Sequence, residues 1–221
     1  MPSLRSPRPL NAALRRGDSL SKNCDGVAAV EFAIVGPAFI ALLLAALYTI
    51  LTYLAQQMLE SAAQDAGRLL LVGSAQTMKL ANGNVGMSAS DFKNAICNGT
   101  SGTDANGNAV TIPPLLPVML SCNRLTVNVK TATAYNVNTM TAPTFTYTNG
   151  VVTATGTGFN DQSGGSGQNR IVVLQLIYLW PTGTGPLGLN LTNQPNSNRM
   201  LVANSVFTTE SYSCNASQSS C

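Results

Sequence analysis

Gly26-Val-Ala-Ala-Val-Glu-Phe32 opens the stretch that decides this chain, and no further charge follows it until Glu60. Phe32 to Leu54 is 23 residues without Asp, Glu, Lys or Arg. At the rise of an α-helix this run is about 34 Å long, enough for a hydrocarbon core of roughly 30 Å. A soluble core helix of that length carries a polar stripe, and this one has none. The run therefore reads as a membrane span over 27–55, with Gly36-Pro37 inside it as the place for a kink. Glu31 is its anomaly. A carboxylate at the mouth of a membrane helix is costly, which makes it a candidate functional residue.

The flanks orient the span. Residues 1–26 hold five basic and two acidic side chains, a net +3, and the whole chain is also +3. The remainder is neutral, so all the net charge lies in the leader. The positive-inside rule places this end in the cytoplasm and the C-terminal bulk outside. A nucleic-acid-binding arm would need a basic patch to extend it, and no partner of that kind is expected. An ordinary secretory signal puts its small-residue cleavage site behind the apolar run; here the small residues precede it.

The helical pattern continues beyond the span. Met58, Leu59, Ala62, Ala63, Ala66, Leu69 and Leu70 recur at near-helical spacing, and Gly73 is a stop. A helix from Val27 to Val72 would be about 69 Å long. Residues 56–79 are assigned to its membrane-distal amphipathic part, buried against the chain's own head.

From 80 to 221 Asn, Thr, Ser and Gly dominate, which disfavours helix and favours strands and turns. Leu125, Val127 and Val129 alternate with Thr126, Asn128 and Lys130 as in a half-buried strand. Phe145 and Tyr147 mark a second strand. Ile171–Trp180, interrupted only by Gln175, marks a central one, and Met200–Thr209 a last one. Gly99–Asn108, Asn160–Asn169 and Gly183–Asn198 read as long polar loops. The expected fold is α+β, a long helix packed on a small antiparallel sheet.

Without Cys24 in the leader, four cysteines remain and allow three pairings. The arrangement nearest in sequence, Cys97–Cys122 with Cys214–Cys221, is the expected one, with free thiols as the alternative. A bridge closing the first loop is worth about 3 kcal/mol and implies an oxidising compartment. The chain contains no His. This excludes Ser-His-Asp and Cys-His catalysis, and without a CxxC pair no metal site is expected. No cofactor is expected either. Gly183-Thr-Gly-Pro-Leu-Gly188 spells a dinucleotide-type pattern, but Pro186 and the residues after it do not read as the helix such a site requires, so it is a turn.

Gly26-Val-Ala-Ala-Val-Glu-Phe32 resembles the cleavage region of type IV pilin-like precursors, and the Glu-Phe pair is most similar to the TadE-type pseudopilins of the tight-adherence (Flp pilus) system. Glu60–Arg68 resembles the alanine-rich helix that follows the anchor in that family, and Cys122–Val129 and Arg199–Tyr212 resemble it more loosely. The resemblance implies a pilin-like fold and cutting between Gly26 and Val27 by a prepilin peptidase. Glu31 would then be the fifth mature residue. It also implies that Glu31 and Phe32 serve assembly, in the bacterial inner membrane, with other pilins and a pilus-assembly platform. A new ammonium on Val27, with an ordinary pKa of about 7.7–8, could then pair with Glu31 of a neighbouring subunit, offsetting part of the cost of either charge in lipid. An uncleaved, membrane-anchored binding or adhesion module is the alternative, and an anchored enzyme is a remote third.

Overall fold

The computed structural model describes residues 25–132, 143–148, 151–159 and 171–210. Its main element is helix α1, Asp25–Leu71, 47 residues running through Pro37 without interruption. Gly73 ends it as the sequence predicts. It adopts a left-handed backbone with φ 77°, a conformation that costs glycine little. The carbonyl of Leu71 is closed off by the backbone N–H of Glu210, 3.1 Å away. Residues beyond the stop do not continue the amphipathic helix to 79. They form a single turn, α2 (Ser74–Thr77), and a two-residue strand, β1 (Lys79–Leu80).

The sheet that carries the core has three antiparallel strands in the order β4-β7-β8: Leu125–Ala132, Ile171–Pro181 and Asn198–Thr208. The central strand is the apolar run, as expected. Tyr178 stands between Leu125 and Leu201, Leu176 between Val127 and Ala203, and Val172 between Thr131 and Phe207. Side chains at paired positions share a face. This face receives the second half of α1.

The helix side of that contact runs Ala55, Leu59, Ala62, Ala63, Ala66 and Leu70, all 0–1% exposed. Steps of three and four place them on one stripe. Four alanines let the axis come close to the strands, while Leu59 and Leu70 fill the interior. Each buried leucine contributes about 1.5–3 kcal/mol of transfer free energy. Val129, Val172, Leu174 and Leu176 complete the core from the sheet.

Helix α3 (Ala89–Asn98) falls where composition pointed away from helix. Local signals override composition here. Ser88 and Asp91 form a capping box: the Asp91 N–H donates to Ser88 Oγ at 3.2 Å and the Ser88 N–H to Asp91 Oδ2 at 3.1 Å. Phe92, Ala95 and Ile96 then bury one stripe. The Phe92 ring meets Phe159 at a centroid distance of 5.3 Å.

The expected loop 99–108 is instead largely a hairpin, β2 (Thr100–Thr103) and β3 (Ala109–Ile112), with β1 added at its edge. Asp104 organises the turn. Its Oδ1 accepts the N–H groups of Asn106 and Asn108, its Oδ2 accepts Asn108 Nδ2, and Gly107 sits at φ 85°. A Cβ on Gly102 would run into the Lys79 carbonyl, so glycine is what lets β1 pair there. A separate two-stranded hairpin joins β5 (Thr144–Thr148), where Phe145 and Tyr147 point to a strand, to β6 (Val151–Thr155).

One residue of the alternating strand departs from expectation. Asn128, on the face read as polar and open, is 1% exposed. Its side chain is satisfied on both ends: Nδ2 donates to Gln175 Oε1 at 2.7 Å, and Oδ1 accepts the Gly158 N–H at 2.9 Å. Gln175, the single polar interruption of the central strand, is thus the partner of Asn128 in the next strand. Buried amides are tolerated when paired in this way.

Candidate functional site

The two halves of α1 live in different surroundings. Beyond Ala55 the helix is part of the core. From Tyr48 to Tyr53 only one side of it meets the head, and before Tyr48 it projects alone: Val27 is 57%, Phe32 74%, Ile34 71% and Leu47 56% exposed. Only 6% of its most apolar window is buried. A soluble core helix would be covered, so the exposed half fits a single-pass membrane anchor. Two threonine hydroxyls near its head end are satisfied within the helix, as lipid requires. Thr49 Oγ1 donates to the Ala45 carbonyl at 2.9 Å and Thr52 Oγ1 to the Tyr48 carbonyl at 3.1 Å.

At the start of this half, Gly26, Val27, Glu31 and Phe32 all lie within the helix and all are exposed. A Cβ on Gly26 would meet nothing within 4 Å. Among the described residues Glu31 has neither a hydrogen-bond nor an ion-pair partner. The Phe32 ring lies over Gly36, one turn on, where a Cβ would come within 3.4 Å of Phe32 Cε1. These four residues thus form a continuous, uncovered tip at the far end of the anchor from the head.

Residues 26–68 match the family model described as TadE-like protein. The chain carries a TadE-like N-terminal segment. The TadE-like segment takes in the exposed tip, the whole apolar span and the stripe from Ala55 to Ala66 that packs on the sheet. It ends before the head proper. No curated protein and no solved structure matches the chain.

The head brings two of the four expected disulfide cysteines together. Cys97, at the end of α3, and Cys122, just before β4, are joined with a Cα–Cα distance of 5.7 Å across 25 positions of sequence. Cys214 and Cys221 lie outside the described residues. The Gly183–Gly188 stretch opens only a short 3-10 turn, Pro186–Gly188. Its backbone bends through Gly183 at φ 60° and Gly188 at φ 76°. It therefore offers no helix N-terminus to a pyrophosphate. Instead it packs beside the anchor, where a Cβ on Gly185 would lie 3.4 Å from Tyr48 Cδ1.

Sequence reading missed one feature. Where the anchor meets the head, Thr49, Thr52, Tyr53 and Gln56 of α1 face Leu191, Arg199, Met200 and Leu201 across a cleft of about 290 Å³. Gln56 closes its floor, with Nε2 donating to the Val202 carbonyl at 3.0 Å and to Glu60 Oε1 at 2.8 Å. Nearly 150 positions separate the two walls, so only the fold reveals the cleft.

Proposed function

We propose that the chain is a pseudopilin or minor pilin, a structural component in the assembly of a Tad/Flp-type pilus used in adherence or secretion. The observation that carries this reading is the coincidence of the TadE-like match over 26–68 with a helix whose first half is bare and whose second half anchors a disulfide-bridged head. An exposed apolar helix with an unpaired carboxylate, Glu31, near its free end is suited to lateral packing with copies of itself. In this reading a prepilin peptidase removes 1–26. Val27 then bears the new ammonium, and Glu31 of one subunit pairs with it in the next. The head faces the periplasm or the exterior, and an inner-membrane platform gathers the subunits. Stability and assembly are then divided along one helix: Ala55–Leu70 holds the head, and Val27–Leu54 holds the neighbours.

The test is the N-terminus of the membrane-purified protein, expressed with and without a cognate prepilin peptidase. A peptidase-dependent start at Val27 supports the processed class. An intact leader under both conditions overturns it and leaves an anchored extracytoplasmic binding module.

A further inference from the structure

We propose that the cleft between the anchor and the head is a binding site for the phosphate of an anionic phospholipid headgroup, with Arg199 as its cationic partner. The inference requires that α1 span the bilayer. It does not require cleavage at Gly26 or assembly into a pilus.

Position is the first argument. Counting from Phe32, the helix has risen about 30 Å at Thr52, the thickness of a hydrocarbon core. Thr49, Thr52 and Tyr53 therefore stand at the boundary between acyl chains and headgroups on the head side. The fold brings Arg199 to that level from the beginning of β8. Among the described residues no other cation lines the cleft.

The state of Arg199 is the second argument. One guanidinium nitrogen, Nη1, donates to the Leu191 carbonyl at 3.0 Å, which ties the side chain to the loop wall. That loop is itself held, because the Met200 N–H donates to Asn193 Oδ1 at 2.7 Å. Among the described residues no carboxylate pairs with Arg199. A half-buried guanidinium fixed by one donor, with the rest of its fork uncommitted, fits the geometry of a phosphate. The nearest acid of the helix, Glu60, is engaged by Gln56 and Gln57.

The lining is the third. Tyr53, Leu191, Met200 and Leu201 give the cleft apolar walls, which suit the glycerol and upper acyl carbons beneath a phosphate. A soluble anion has no use for them, whereas a lipid presents both parts at this depth.

Trp180 provides the reporter. It is the only tryptophan of the chain and stands directly across from Arg199 in the β7–β8 ladder. The full chain is reconstituted in phosphatidylcholine vesicles doped with phosphatidylglycerol, either lipid being brominated in turn near its headgroup. Quenching of Trp180 then measures which lipid occupies the cleft. The wild type is expected to favour phosphatidylglycerol about fivefold, the scale of one cation at a membrane surface. R199Q is expected to lose the preference and R199K to keep most of it. Inorganic phosphate in millimolar excess is expected to leave it unchanged.

The proposal is overturned if Trp180 is not quenched by either lipid, if the wild type shows no preference, or if R199Q keeps it. Abolition by inorganic phosphate would assign the site to a free anion instead. Should R199Q fail to fold, the wild-type comparison and its collapse in molar salt decide the matter alone.

Discussion

Gly67 of the long helix lies so close to Ser205 of β8 that a Cβ on the glycine would stand 2.9 Å from the serine Oγ and 3.3 Å from Phe207 Cε1. Helix and sheet meet there with no room for even a methyl group unless the Ser205 side chain shifts. The two residues lie 138 positions apart and fix how far along the anchor the head sits, because Gln56 bonds the Val202 carbonyl three turns earlier. A larger residue at 67 must push the helix off the strand. Gly67→Leu is expected to destabilise the head by about 1–3 kcal/mol, the ordinary cost of overpacking. Gly67→Ala combined with Ser205→Gly should be close to neutral, since the hydroxymethyl group is gone and alanine favours helix by about 1 kcal/mol. Thermal unfolding of the detergent-solubilised protein measures both.

The bridge between Cys97 and Cys122 ties the end of α3 to the start of the main sheet. The segment between them holds the β2–β3 hairpin and a proline-rich turn whose Leu115 and Leu116 N–H groups both bond the Ile96 carbonyl. Replacing both cysteines by alanine should cost about 3 kcal/mol through the freedom returned to the unfolded loop. The denaturant midpoint of the double variant, compared with the wild type with and without reductant, tests this. A midpoint unmoved by either change would show that the bridge is not a stabilising crosslink.

Much of this architecture was legible because its determinants are local and periodic. The span needs only the unbroken apolar run from Phe32, the helix stop only Gly73, and the central strand only Ile171–Trp180. Helix α3 was also written locally, in Ser88, Asp91 and the Phe92-Ala95-Ile96 stripe, but a composition average over the polar head hid a ten-residue signal. The β2–β3 hairpin was concealed in the same way, since its strands are Thr- and Gly-rich and its order comes from one aspartate. Asn128 is a different case. Its burial depends on Gln175 and Gly158, which reach it only through tertiary pairing. Likewise, no pattern in the chain connects Arg199 to Thr52 and Tyr53.

Asp104 makes the hairpin turn sensitive to acid. Its carboxylate accepts three hydrogen bonds, chiefly from the Asn108 side chain and backbone, and these hold its pKa below the ordinary 3.8. A pKa lowered in the folded state means the ionised form is the better bound one. The contribution is therefore complete above pH 3.8 and is lost as the pH falls through the lower folded value. The amides of Asn106 and Asn108 should become faster in hydrogen exchange over that window, while those of β7 remain protected. Asp104→Ala should show the fast exchange at neutral pH. Unchanged exchange at Asn106 and Asn108 in that variant would refute the role of the carboxylate.

Glu31 separates insertion from assembly. It is exposed at the tip of the anchor, on the opposite end from the head, and touches none of the core. Removing its charge lightens the helix for the bilayer by up to about 2.5–3.5 kcal/mol at the membrane centre and by less near the interface. Glu31→Ala should therefore insert at least as well as the wild type and leave the thermal midpoint of the head unchanged. If Glu31 pairs with the Val27 ammonium of a neighbour, the same variant should lose crosslinked ladders of subunits in the membrane. Glu31→Gln should lose them too, because an amide cannot supply the charge. Glu31→Asp should keep part of the signal. Cysteine crosslinking between exposed positions of α1, such as Ile34 and Leu42, reads this directly. Ladders that persist in the alanine variant would mean that the apolar face of the anchor, and not the carboxylate, joins the subunits.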